Sequence, residues 1–110
     1  MKVLTKKEEL ILLAILNLRD AAYLVAIQNH LAEVINKRIL LTSVHVPLTR
    51  LEKRGLIRSE FGEATAVRGG RRKKVYTLTP QGIKVLAECK RINDAMWGNY
   101  NELTPQNLLK

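Results

Sequence analysis

Cysteine, histidine and aromatic residues are scarce in this 110-residue chain. It contains one cysteine, two histidines, one tryptophan and one phenylalanine. A single cysteine, Cys89, excludes an internal disulfide framework and favours a reducing compartment. The histidines and the cysteine are not grouped with carboxylates at the spacing of a metal site, or of a nucleophile and its base. We therefore expect no metal, no cofactor and no enzyme activity.

Long hydrophobic runs are also lacking. The longest fully apolar run covers residues 10–16, which is far shorter than the about 20 residues of a transmembrane helix. Residues 1–9 are mainly polar and no cleavage site follows the apolar run, so no secretory signal peptide is visible. The apolar share of 46% is typical of one globular domain. We expect a soluble cytoplasmic protein.

Acidic residues are outnumbered by basic ones. Ten Asp and Glu stand against 19 Lys and Arg, which gives a net charge of +9. Residues 42–78 hold nine of the basic residues and three glutamates, so this third of the chain carries +6. Charge that serves only solubility is usually interspersed with charge of the other sign. Its clustering here indicates an acidic partner, such as nucleic acid or an anionic membrane.

Residues 42–78 have the pattern of a helix followed by a β-hairpin. The pattern predicts a helix over residues 42–54, a stop at Gly55, a strand over 56–61, a basic turn with two glycines, and a strand over 75–78. A basic helix followed by a hairpin with a cationic tip suits a polyanion. The predicted fold is mainly α with a small β-hairpin: a winged helix-turn-helix that binds duplex DNA, followed by a C-terminal dimerisation helix.

A first helix is predicted before this segment. Thr5 and Glu8 have the spacing of a capping box and stand just before an apolar run. The helix is apolar on all sides, and a helix of that kind must be covered on more than one side. We expect a second subunit to cover part of it, with Leu12 and Leu16 at the dimer interface.

A second helix is predicted over residues 21–37, with Asp20 as its N-cap. Tyr23, near its start, is interpreted either as a phosphate or ligand contact or as a half-buried core aromatic. His30 has no cluster of ligands around it in the sequence, and we expect it at the surface or at the edge of the core.

The helix over residues 42–54 is predicted to present one face to the core and one to DNA. At 100° per residue, Val44, Leu48 and Leu51 point into the core. Pro47 lies too deep to be the first helical residue if residue 42 or 43 caps the helix, so we expect a kink or a distorted first turn.

The opposite face carries a short apolar residue, a hydroxyl and two cations, which suits a major groove. Arg50 is predicted to contact a base or a phosphate, with both alternatives open, and Lys53 is predicted to contact a phosphate. The basic loop can follow a phosphate backbone or enter a minor groove. The predicted DNA-binding residues are Thr42, Ser43, His45, Val46, Thr49, Arg50, Lys53 and Arg54 in the helix, and Arg68, Arg71, Arg72, Lys73 and Lys74 in the wing.

Thr79 and Pro80 predict the start of a last helix, which runs to about residue 100. Its apolar residues recur at near-heptad spacing, and we assign that stripe to dimerisation. Residues 1–78 then form the DNA-binding domain, 79–103 the dimerisation helix and 104–110 a flexible tail. A planar ligand could stack on Trp97 beside Met96, which marks a candidate effector site. The predicted interface residues on this helix are Val85, Cys89, Ile92, Met96, Trp97 and Tyr100.

Two stretches of the chain resemble the PadR-like family of winged-helix transcriptional regulators. Residues 50–57 (RLEKRGLI) are similar to that family's recognition-helix end and first wing strand, and residues 69–82 (GGRRKKVYTLTPQG) to its wing and last-helix start. Pro47 matches a proline that the family carries in its recognition helix. The resemblance covers about residues 4–89. It implies a homodimeric repressor, and some members of the family respond to phenolic acids or flat hydrophobic drugs.

Three features depart from the family pattern. The family has tyrosine before the recognition-helix proline, where this chain has Val46. Its His-Gly-Tyr before the second helix is Ala21-Ala22-Tyr23 here. Its drug-sensing members place a tryptophan about one turn before the position of Trp97. The chain resembles the short members, which lack a separate C-terminal domain.

The leading interpretation is a homodimeric, sequence-specific regulator of transcription that binds double-stranded DNA, with a small aromatic or hydrophobic effector as a further partner. The alternative is a winged helix that binds protein or RNA without operator specificity. An enzyme is the least favoured of the three.

Overall fold

A computed structural model describes residues 4–62 and 73–100 of the chain. Five helical segments and one antiparallel hairpin make up this part, so the prediction of a mainly helical fold with a small β-hairpin is confirmed. The elements are α1 (Lys6–Leu18), a 3-10 turn (Arg19–Ala21), α2 (Leu24–Ile35), α3 (Leu41–Lys53), β1 (Ile57–Phe61), β2 (Lys74–Leu78) and α4 (Pro80–Met96).

The capping box at the start of α1 forms as predicted. The backbone N–H of Glu8 donates to the hydroxyl of Thr5 at 3.1 Å, and the backbone N–H of Thr5 donates to the Glu8 carboxylate at 2.9 Å. Two backbone donors that a helix start leaves unpaired are thereby satisfied.

The predicted start of the second helix is wrong. Asp20 lies in the 3-10 turn, and α2 begins at Leu24, after Tyr23 in an extended conformation. Tyr23 forms a β-bridge with Val75, and the N–H of Tyr76 donates to the carbonyl of Ala22 at 2.8 Å. Pairing with β2 therefore holds residues 22–23 extended and delays the helix. At its other end α2 stops at Ile35, because Asn36 adopts a left-handed conformation with φ of 60°.

The core lies where α1, α2, α3 and the hairpin meet. Its residues recur at helical spacing in α1 and α3, so one face of each helix is buried against the others. The fully buried side chains are Ile11, Leu12, Ile27, Val44, Leu48, Leu51 and Ile57.

Two residues predicted at the dimer interface belong to this core. Leu12 is 0% exposed and Val85 is 7% exposed within the single chain, so neither offers a surface to a second subunit. The prediction failed because α1 is covered from several sides by its own chain: α2, α3, α4 and β2 all pack against it. Leu16 is 51% exposed and stays available for an interface.

Gly55 ends α3 as predicted. It adopts a left-handed conformation with φ of 76°, which glycine reaches without steric cost. The N–H of Gly55 donates to the carbonyl of Glu52 at 3.0 Å, and the N–H of Leu56 donates to that of Leu51 at 3.1 Å. This pair of bonds is the Schellman motif, and it turns the chain sharply from α3 into β1.

Thr79 connects this turn to the last helix. Its hydroxyl accepts a hydrogen bond from the N–H of Gly82 at 3.0 Å, which caps α4, and donates to the carbonyl of Gly55 at 2.7 Å. Helix and strand approach so closely here that a Cβ atom added to Gly82 would lie 2.1 Å from the carbonyl oxygen of Leu56. The predicted cap and the predicted first helical residue, Pro80, are confirmed.

α4 ends four residues earlier than predicted, at Met96. Gly98 follows closely, and glycine is a poor helix former. A link to α1 fixes the far half of the helix: the amide of Asn93 donates to the buried carboxylate of Glu9 at 2.7 Å, and the ammonium group of Lys6 lies 3.4 Å from the same carboxylate. Within residues 4–62 and 73–100, no helix combines the length and the hydropathy of a membrane span.

Candidate nucleic-acid interface

The predicted core-facing side of α3 is buried and the opposite side is exposed. Val44, Leu48 and Leu51 are buried, at positions i, i+4 and i+7 of one stripe. On the outer side, His45, Val46, Thr49, Arg50 and Lys53 are exposed, as is Thr42 in the first turn. Three core contacts along 13 residues hold the helix in place. The polar side chains on its outer side can therefore meet a ligand without moving the backbone.

Neither Thr42 nor Ser43, the two caps considered for α3, occupies its N-cap position. The helix begins at Leu41, and the N-cap position is Leu40, which provides no side-chain hydrogen bond. The N–H of Ser43 donates to the carbonyl of Leu40 at 3.0 Å, which places Ser43 inside the first turn. Ser43 is half-buried and Thr42 exposed.

Pro47 is buried in the interior of α3, which continues on both sides of it. A proline there removes one N–H donor from the helix, the one that would bond to the carbonyl of Ser43. Two residues further on, the hydroxyl of Thr49 donates to the carbonyl of His45 at 3.1 Å. The proton of this hydroxyl is thereby engaged, and its oxygen lone pairs remain to accept a hydrogen bond from a ligand.

Arg54 differs from the other cations of α3. Its guanidinium group lies 3.3 Å from the carboxylate of Glu8, and both side chains are largely buried. The pair connects the end of α3 to the start of α1. Because its charge is neutralised inside the chain, the prediction that Arg54 meets DNA loses its support. Arg50 and Lys53 form no ion pair with any of the residues described.

The pKa of Glu8 is below its usual value. Partial burial acts to raise it, but hydrogen bonds from Thr5 and the positive charges of Arg54 and Arg50 outweigh that effect. The carboxylate therefore stays ionised under mildly acidic conditions, and it holds Arg54 in place there.

Two of the five predicted wing residues lie within the described residues. Lys73 and Lys74 are exposed at the start of β2. The ammonium group of Lys73 lies 4.3 Å from the centre of the Tyr23 ring, and that of Lys74 lies 5.8 Å from the Tyr76 ring and 4.0 Å from the carboxylate of Glu52. The other three, Arg68, Arg71 and Arg72, lie outside the described residues.

A cleft of about 730 Å³ separates α2 from the hairpin and reaches α3 at His45. Tyr23 is half-buried in its wall, where a ligand contact also stays open to it, and Tyr76 is buried. Burial and the nearby Glu52 raise the pKa of the Tyr76 hydroxyl. The sequence contains no signal for this cleft, because its walls come from distant parts of the chain that are joined by contacts such as the bridge between Tyr23 and Val75. The polar lining residues are Tyr23, Asn29, His30, Glu33, His45, Lys73, Lys74 and Tyr76.

His30 lies half-buried at the edge of this cleft, as expected for a residue at the edge of the core. Its Nε2 atom is 3.3 Å from the side-chain amide of Asn17. Across the two described ranges, no three His, Cys, Asp or Glu side chains are grouped so that they could hold a metal ion.

The predicted dimer residues of α4 fall into two groups. Cys89 is half-buried against the core, where burial and the carboxylates of Glu9 and Glu88 raise the pKa of its thiol. The apolar residues at and beyond the end of the helix are exposed: Ile92 by 38%, Met96 by 81%, Trp97 by 62% and Tyr100 by 53%.

The two aromatic rings at this end lie against each other. The centroids of Trp97 and Tyr100 are 5.1 Å apart, in an edge-to-face arrangement. Neither Trp97 nor Met96 lines the cleft described above.

Comparisons with known proteins agree with this geometry. Residues 12–88 match the model of the Transcriptional regulator PadR-like family. A PadR family transcription regulator from Clostridium difficile R20291 has 26% identity and a TM-score of 0.63, over 94% of this chain and 99% of that one. A PadR family transcriptional regulator from Eggerthella lenta has 26% identity and a TM-score of 0.65, over 86% and 80%.

A transcriptional regulator from Clostridium thermocellum shares the fold, with 24% identity and a TM-score of 0.66 over 86% of this chain and 89% of that one. No curated protein sequence matches the chain significantly.

Proposed function

This chain belongs to the PadR-like family of transcriptional regulators, and from that premise we propose that it is a homodimeric repressor that binds double-stranded operator DNA. The observation that carries the proposal is α3. A helix fixed to the core by one face presents Val46, Thr49, Arg50 and Lys53 on the other.

Four exposed residues of α3 have roles that suit a major groove. Arg50 donates in a fork to a guanine or to a phosphate, and Lys53 meets a phosphate. The methyl groups of Val46 contact a thymine methyl. Thr49, whose proton is engaged by the carbonyl of His45, accepts from the amino group of an adenine or a cytosine.

The hairpin supplies contacts that do not depend on sequence. Lys73 and Lys74 lie at the loop end of its second strand and line the cleft that α3 reaches through His45. We propose that they bind the phosphate backbone next to the groove that α3 enters, together with Arg68, Arg71 and Arg72. Contacts of this kind fix the register of the protein on the duplex and make binding depend strongly on salt.

The exposed apolar end of α4 supports dimerisation. Ile92, Met96, Trp97 and Tyr100 follow one another along about two turns, and exposed apolar patches of this kind mark interaction sites. A second copy that packs on this stripe would complete a site around Trp97 and Met96 for a flat hydrophobic effector. Two α3 helices in such a dimer would reach major grooves about 34 Å apart.

Light scattering combined with DNA titration tests the proposal. The protein is sized first, and the same sample is then titrated with duplex DNA from its own upstream region at two salt concentrations. We expect a dimer whose log affinity falls with log salt more steeply than a slope of about −3. Equal competition by unrelated RNA would favour an interaction module, and a monomer without salt-dependent DNA binding would refute the proposal.

A further inference from the structure

A second cavity of about 300 Å³ lies beside the first turn of α3. It is lined by α1, the end of α2, the connection between α2 and α3, and the first turn of α3, and it is open to solvent. Seven of its ten lining residues are aliphatic. The lining residues are Lys7, Leu10, Ile11, Leu31, Ile35, Arg38, Ile39, Leu40, Ser43 and Val44.

The polar lining of this cavity is unbalanced in charge. It consists of two cations, Lys7 and Arg38, and the hydroxyl of Ser43, without a carboxylate. Both cations are exposed, whereas Ile11 and Val44 at the inner wall are fully buried. The cavity thus has an apolar interior and a cationic mouth. The larger cleft beside the hairpin contains Glu33 and adjoins the candidate DNA-binding residues, so it belongs to the interface already described.

The connection between α2 and α3 forms a defined wall. The side-chain amide of Gln28 donates to the carbonyl of Ile39 at 2.8 Å, which fixes that residue against α2. Beside it, Leu40 is 59% exposed and Ile35 is 37% exposed. An alkyl chain lying in the cavity would cover both of these apolar side chains, and that burial favours binding.

The start of α3 adds a further preference for an anion. Leu40 provides no side-chain cap, so the first backbone N–H groups of the helix lack a side-chain acceptor, and the helix dipole is positive at this end. Leu40, Ser43 and Val44 place this first turn in the cavity wall.

We propose that this cavity binds a small aliphatic carboxylate. Its chain lies among Leu10, Leu31 and Ile35, and its carboxylate lies at the mouth between Lys7 and Arg38, where the hydroxyl of Ser43 donates to it. A volume of about 300 Å³ is at the lower end of the range for ligand pockets, which matches a chain of medium length. The occupant touches Ser43 and Val44, in the helix whose outer face carries Arg50.

Octanoate is the probe for a first test, with the full chain and without DNA. Titration is followed by two-dimensional NMR of the backbone amides. We expect saturable shifts confined to residues around the cavity, including 40–44, with a dissociation constant of about 1 mM or tighter. Octylamine and octan-1-ol have the same chain without the negative charge, and we expect both to bind more weakly.

Two double variants locate the carboxylate. Lys7→Ala with Arg38→Ala should weaken octanoate binding about fivefold or more, because each exposed ion pair contributes about a two- to fivefold effect. Arg58→Ala with Lys84→Ala removes the same charges at exposed positions outside the cavity and should leave binding unchanged. Equal weakening by both pairs, binding of octylamine as tight as that of octanoate, or no saturable shifts would each overturn the proposal.

A cavity-filling variant provides an independent test. Ser43→Leu adds an aliphatic side chain to the cavity wall and should abolish binding, with folding checked by circular dichroism. Unchanged binding in a folded Ser43→Leu variant would also overturn the proposal. Since none of these measurements involves DNA, their failure would leave the proposed regulatory function standing.

Discussion

The contact between Gly82 and Leu56 gives the sharpest prediction about the fold. In Gly82→Ala, the new Cβ atom would lie 2.1 Å from the carbonyl oxygen of Leu56, so α4 or the start of β1 must move by about 1 Å. Both atoms that collide belong to the backbone or are attached directly to it. A change of side-chain rotamer therefore cannot relieve the overlap.

The expected cost follows from what such a movement disturbs. Overpacking of a tight contact costs about 1–3 kcal/mol. The N–H of Thr79 donates to the same carbonyl at 3.1 Å, and the hydroxyl of Thr79 donates to the carbonyl of Gly55 at 2.7 Å. Loss of each bond adds about 1 kcal/mol, while alanine returns up to about 1 kcal/mol through its higher helix propensity. We expect Gly82→Ala to lower the free energy of unfolding by about 3 kcal/mol.

Denaturant unfolding followed by circular dichroism measures this change. Gly55→Ala is the matched control: the added Cβ would meet no atom within 4 Å, and only the left-handed backbone conformation opposes it, at about 1–2 kcal/mol. A Gly82→Ala variant that is as stable as the original chain, or more stable than Gly55→Ala, would refute the close approach of α4 and β1.

Four further results are expected. Arg50→Ala should weaken operator binding by about 1–3 kcal/mol and change the base preference if Arg50 reads a base; an equal loss on all sequences, in a gel-shift series, would assign it to a phosphate. Arg54→Ala should reduce the free energy of unfolding by more than it reduces the free energy of DNA binding, because the partner of Arg54 is Glu8. A larger loss in DNA binding than in stability would contradict its structural role. Folding lowers the pKa of Glu8, so its stabilising contribution is complete above the ordinary carboxyl pKa and is lost as pH falls through the folded value. Glu8→Gln should therefore reduce the loss of melting temperature in acid, and melting curves as steeply dependent on pH as before would disprove this. Ile92→Asp should yield monomers in light scattering while the circular dichroism spectrum is kept, and a persistent dimer would rule out the α4 interface.

Features that depend on neighbouring residues could be read from the sequence. The capping box of Thr5, the stop at Gly55 and the cap at Thr79 each involve residues within about one turn, and all three are confirmed. The buried stripe of α3 was also predictable, because the positions of Val44 and Leu48 follow from helical periodicity alone. The winged-helix fold follows from these elements taken in order.

Features that depend on distant pairings could not be read in this way. α2 begins at Leu24 because Tyr23 pairs with Val75, more than 50 positions away. The apolar pattern of α1 predicts Leu12 at an interface, but the folded chain buries it. The elements that pack against α1 include β2 and α4 from the far end of the chain, which the local pattern does not reveal. Arg54 is a cation at the end of the basic helix, as a DNA contact would be, and only the folded chain brings it to Glu8.

The hydroxyl of Thr79 bonds to the turn that ends α3 and to the first turn of α4. A helix of 17 residues is about 25 Å long, and its direction is set at this threonine and, near its other end, by the hydrogen bond from Asn93 to Glu9. A difference of about 5° in that direction would place the far end about 2 Å away, as follows from that length. In the proposed dimer, the angle set by these contacts would therefore have a large effect on the distance between the two α3 helices. That distance must match the helical repeat of the duplex.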